Sequence, residues 1–137
     1  MKKCKCTSVL LAVFLSLIFL GSSCENNTVV GSDEGITVIN NVSFTITELE
    51  TSSSSLKASG TVKNTGSSKI TSPWHIEGQF YADSTLSLKL GGDNTQIGVP
   101  LETGVATIWT LEFSNPDISE GNYPNFRVSN MRAFYNE

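Results

Sequence analysis

WHIEGQFYAD, residues 74–83, sets Trp74, Ile76, Gly78 and Phe80 on one parity and His75, Glu77, Gln79 and Tyr81 on the other. A period of two sends successive side chains to opposite faces, so the stretch predicts a strand with one buried face. The pattern recurs to either side. It runs through Val42, Phe44 and Ile46 in NVSFTITELE, and through Leu56, Ala58, Gly60 and Val62 in LKASGTVKN. It returns at Leu86, Leu88 and Leu90, then at Val105, Thr107, Trp109, Leu111 and Phe113. In the last run, NFRVSNMRAFY, Phe126 and Val128 share one parity while Met131 and Tyr135 take the other, which predicts a bulge near Asn130. ITVIN, residues 36–40, supplies a first strand.

Turn formers separate the runs: the serine run 52–55, NTGSS at 64–68, GGDN at 91–94 and ETG at 102–104. No segment carries a helical period. Seven or eight short strands over residues 36–137 predict an all-β domain, an antiparallel immunoglobulin- or fibronectin-like sandwich. Trp74 and Trp109 fall on inward parity and belong to its core. The cysteine pair of antibody domains is missing, so packing alone must hold the two sheets together.

The N-terminus has a different character. Lys2, Lys3 and Lys5 precede VLLAVFLSLIFL at 9–20, a charged segment followed by an apolar one too short to span a membrane comfortably. Residues 1–23 therefore read as an export signal. Gly21, Ser22 and Ser23 followed by Cys24 resemble the lipobox of bacterial lipoprotein precursors, with Gly21 where a leucine-like residue is usual. That resemblance implies a diacylglyceryl group on Cys24, cleavage just before it, and attachment to the membrane. Gly21 and Ser23 also satisfy ordinary signal peptidase, which would cut the same bond and leave a free thiol. Cys4 and Cys6 are the only other cysteines, and both lie in the signal, so the mature chain can form no internal disulfide. Residues 24–35, polar and turn-prone, suit a lipid-anchored tether. The expected location is the bacterial cell envelope, at the outer membrane or cell surface.

Removing the first 23 of 137 residues leaves 114, enough for one domain. Three of nine basic residues go with the signal, leaving six against thirteen acidic ones, a net charge of about −7. Such a surface repels phosphate backbones, which argues against nucleic acid as a partner.

SGTVKNTGSSKI, IEGQFYAD and VPLETGVATIWTLEF together resemble the FxLYD-type domains of bacterial and archaeal envelope proteins. The shared features fall on Gly60, Val62, Asn64, Phe80, Tyr81, Asp83, Leu101, Gly104, Trp109 and Phe113, with Ala82 interposed in the Phe-Tyr-Asp string. The resemblance spans about residues 56–113 and implies an exported, non-catalytic β-sandwich.

Enzyme chemistry lacks parts. The chain has one histidine, His75, on outward parity beside Glu77, Gln79 and Tyr81, where it reads as a solvated surface residue. Zinc needs three or four ligands, and the mature chain offers one histidine and one cysteine. Asp93 and Asn94 in GGDN fit a hairpin turn better than a calcium loop, which needs six or more oxygens. Glu48 and Glu50 share one strand face, unlike the opposed carboxylates of a glycosidase. No cofactor or metal is therefore expected. A binding role needs only a surface, and the connection SNPDISEGNYPNF at 114–126 presents an exposed-looking Tyr123. With Tyr81 and His75, it forms the candidate contact set for an envelope protein or a glycan. The expected function is a non-catalytic binding or adaptor module, with carbohydrate recognition or a ligand-free structural spacer as alternatives.

Overall fold

The computed structural model describes residues 34–119 and 121–137. Seven strands follow one another: β1 (Ile36–Ile39), β2 (Val42–Thr51), β3 (Ser55–Asn64), β4 (Trp74–Tyr81), β5 (Lys89–Ile97), β6 (Ala106–Ser114) and β7 (Arg127–Asn136). They build two antiparallel sheets, ordered β1-β7-β4-β5 and β2-β3-β6. The described residues thus form an all-β sandwich whose strand order follows the immunoglobulin layout. In that layout β2, β3 and β6 occupy the places of strands A, B and E, while β4, β5 and β7 occupy those of C, C′ and F. β1, although first in the chain, takes the edge beside β7 where a last strand would stand.

The inward residues read from the alternation meet between the sheets. Leu56, Ala58 and Val62 of β3, Trp74, Ile76 and Phe80 of β4, and Trp109 and Leu111 of β6 are all buried in one cluster. Each large side chain removed from water stabilises the fold by about 1.5 to 3 kcal/mol. The Phe80 ring lies 5.8 Å from that of Phe113 and 6.0 Å from that of Phe126, centroid to centroid, so three aromatics tie both sheets to the β6–β7 connection. Trp74 Nε1 donates to Val99 O at 2.9 Å, which satisfies its only polar atom. The bulge expected near Asn130 is present: Asn130 has φ +51°, and the β4–β7 register shifts between Glu77 and Gln79. Beyond it Met131 and Tyr135 pack on the core.

Close approach explains Gly60. A Cβ there would sit 1.9 Å from Thr45 O and 2.9 Å from the Trp109 ring. Gly60→Ala should therefore cost about 1 to 3 kcal/mol by overpacking, read from urea unfolding. A loss below about 0.5 kcal/mol would mean that β2 yields freely, as surface positions do.

Several local expectations are corrected. Leu86 and Leu88 are exposed and lie in the β4–β5 connection, Leu86 at φ +56°. There Asp83 Oδ1 accepts from the Thr85 hydroxyl at 2.6 Å and the Thr85 amide at 2.8 Å, closing a local turn ahead of β5. Those two bonds hold the Asp83 carboxyl below the usual carboxylate range. GGDN accordingly lies inside β5 and is no turn; Gly91 leaves room for the Phe113 ring, which a Cβ would meet at 2.2 Å. Asp93 Oδ2 accepts from Glu112 N at 2.7 Å, joining the two sheets where β5 meets β6. Ile46 is 38 % exposed, because β2 is an edge strand whose register slips between Ile46 and Glu48, after which Leu49 takes the inward place. Val105 is exposed in the turn before β6, its amide bonded to Glu102 O.

Candidate functional site

The candidate residues of β4 share the outer face of the four-stranded sheet, as their parity requires. That face is less solvated than alternation alone suggests. Glu77, Gln79 and Tyr81 are 3 %, 2 % and 8 % exposed, and His75 is half-buried. The reason is position: β4 is an interior strand, and long side chains of β7 lie across it. Arg132 pairs with Glu77 and stands over the Phe134 ring, 5.7 Å from its centroid. His75 stacks on Phe134 at 5.3 Å, and its Nε2 lies 3.4 Å from Asn136 Nδ2. Its Nδ1 is buried with no hydrogen-bond partner, so the solvated surface reading of His75 is corrected. Tyr81 donates to Gln79 Oε1 at 2.7 Å, and Asn130 Nδ2 reaches both groups, at 3.1 Å to Gln79 and 2.7 Å to Tyr81. The positive φ that makes the bulge is what aims Asn130 at them.

Tyr123 stands apart. It is half-buried against the core, and among the described residues no hydrogen bond or ring contact joins it to Tyr81 or His75. Its exposed reading is therefore corrected. The connection that carries it is pinned by two buried side chains, Ile118 and Phe126, and by turns in which Ile118 N bonds Asn115 O and Phe126 N bonds Tyr123 O. Cys24 lies outside the described residues. Among those residues no group of three His, Cys, Asp or Glu stands close enough to hold a metal. Glu48 and Glu50 face outward: Glu50 pairs with Lys57 at 2.9 Å, and Glu48 accepts from Ser59. The Glu50 bond raises the Lys57 pKa above its ordinary value.

A concave site lies elsewhere, at the end of the sandwich where the β1–β2 turn faces the loop after β3. Its volume is about 180 Å³. One wall is the turn, Asn40 and Asn41; the other is the loop from Gly66 to Ile70. Ile39, Ile70 and Tyr135 supply the apolar part of the lining. Asn64 holds it together. Buried to 1 %, it donates through Nδ2 to Ser68 O at 2.8 Å and Leu101 O at 3.0 Å, and its Oδ1 accepts from Gly66 N at 2.9 Å. Thr65 N bonds Asn41 O at 2.8 Å, which fastens the loop to the turn. Asn41 has φ +60°, a backbone region that asparagine tolerates better than most residues. Lys69, the charged residue of the lining, pairs with Glu102 at 2.6 Å.

None of Tyr123, Tyr81 and His75 lines this cleft. In the sequence its parts look like two ordinary turns, Asn40-Asn41 and NTGSS. The pairing of β2 with β3, which sets Val42 opposite Asn64, brings them together. No protein-family model matches the chain, and comparisons with curated proteins and with solved structures give no match.

Proposed function

We propose that the chain is an exported cell-envelope protein, anchored by lipid on Cys24, whose sandwich serves as a non-catalytic binding module. The observation that carries the reading is Cys24 itself. It is the sole cysteine after position 6, and it follows an apolar run and three small residues. Eleven residues, 25–35, separate it from β1 at Ile36. If these residues act as the polar tether that their composition suggests, a link of that length would reach roughly 20 Å, enough to lift a small domain clear of lipid head groups. Two or more acyl chains hold a protein on a bilayer where one holds only marginally.

The binding role is supported by the cleft, whose walls are set by the fold before any ligand arrives. The His75 ring lies against Phe134 and Asn136, and among the described residues no hydroxyl or thiol stands within hydrogen-bonding reach of either nitrogen.

Intact mass spectrometry of membrane-extracted protein beside Cys24→Ser tests the anchor. Acyl mass on the wild type, absent from the variant together with a shift to the soluble fraction, is the expected result. A free thiol on soluble wild-type protein would overturn it.

A further inference from the structure

We propose that the cleft between the β1–β2 turn and the Gly66 to Ile70 loop binds one neutral sugar residue of a glycan. The inference rests on the binding-module reading and gives it a site and a ligand class. Size sets the first limit. Pockets for drug-sized ligands run to about 300 to 1,000 Å³, so a volume near 180 Å³ suits a single ring. Charge sets the second. Lys69 is paired with Glu102, and no carboxylate lines the cleft, so neither an anion nor a cation finds an unmatched partner.

The polar groups set the third. The carboxamides of Asn40 and Asn41 make no hydrogen bond within the described structure, and both residues line the cavity. A carboxamide both donates and accepts, as adjacent sugar hydroxyls do, so two neighbouring amides can serve two neighbouring hydroxyls. Ser67 and Ser68 add hydroxyls on the facing wall. A sugar ring also has a face of C–H groups, which Tyr135, Ile39 and Ile70 match. The Tyr135 hydroxyl is fixed by the Thr71 amide at 3.0 Å, so that wall is set in advance. The Ile70–Leu101 bridge, with bonds of 3.0 and 2.9 Å, anchors the far end of the loop. Walls fixed beforehand lower the ordering cost of binding.

The test is saturation-transfer difference NMR on the full chain in a phosphocholine detergent, whose head group carries no sugar. The probes are glucose, galactose, mannose and N-acetylglucosamine. Two variants remove the site by different routes. Asn40→Ala with Asn41→Gly strips both amides, and glycine keeps the positive φ at 41. Ser67→Trp fills the cavity from an exposed position and leaves the turn intact. Thr110→Ala, on the outer face of the other sheet, is the control.

At least one sugar should bind saturably with a dissociation constant on the order of 1 to 10 mM, the range expected for so few atoms. Both cleft variants should weaken it tenfold or more, and the control should not. No saturation below about 50 mM for any of the four, or binding retained in both folded variants, overturns the proposal. Capture of an envelope protein equally by wild type and Ser67→Trp, with none of the four sugars bound, would discard this cleft while leaving the binding module standing.

Discussion

Trp109→Ala should lower the free energy of unfolding by about 3 to 5 kcal/mol, the range for emptying a large aromatic site in a core. Trp109 is 2 % exposed and lies against Gly60, so nothing nearby can move in to fill the space it leaves. Its Nε1 is buried without a hydrogen-bond partner, unlike that of Trp74. That difference sharpens the expectation. Trp109→Phe removes an unpaired donor along with part of the ring, so it should cost less than half as much as the alanine variant. Urea unfolding of the three proteins measures both differences. Equal losses for alanine and phenylalanine would show that Nε1 contributes a bond in solution.

Asn64→Asp should be nearly as damaging although it changes only an amide to a carboxylate. The amide nitrogen donates to two backbone carbonyls, Ser68 O and Leu101 O. A carboxylate donates to neither, faces both with like partial charge, and sits in a site 1 % exposed. Breaking a buried network in this way costs about 3 kcal/mol or more. The pH dependence has a definite sign. Burial and the two carbonyls raise the new carboxyl's folded pKa above its unfolded value of about 3.9. Stability of the variant is then highest below that value and falls as pH rises through the folded pKa. Melting temperatures at pH 4 and pH 8 should therefore differ more for the variant than for the wild type. A parallel pH response would mean that the loop opens and hydrates the carboxylate.

The alternation of Trp74, Ile76 and Phe80, and of Leu56, Ala58 and Val62, was enough to place the core, because a two-sided strand leaves a period that survives any register. The bulge at Asn130 was legible for the same reason: a change of parity within one strand needs an extra residue. Leu86 and Leu88 misled because spacing alone cannot distinguish a strand from a loop closed by an Asp83–Thr85 turn. Glu77 and Gln79 misled in another way. Parity gives the direction of a side chain, whereas burial depends on what the neighbouring strands carry, here Arg132 and Asn130 on β7. The cleft was invisible because its walls lie apart in sequence and meet through the β2–β3 pairing, Val42 opposite Asn64, together with the position of β1.

That position has a mechanical side. β1 has four residues and a single neighbour, β7, and the chain enters it beside the far end of that neighbour, where Glu137 N bonds Gly35 O at 2.9 Å. Tension applied at Gly35 and directed away from the domain would act on these bonds one after another, as in a zipper, and not on all of them together. Opening the strand and its turn, residues 36–41, would release about 20 Å of chain. The cost in burial is small, since Ile36 and Ile39 are only half-buried while the core residues of β3, β4 and β6 stay in place. Asn40 and Asn41 would leave with the strand, so a domain under load would lose one jaw of its cleft well before it lost its fold.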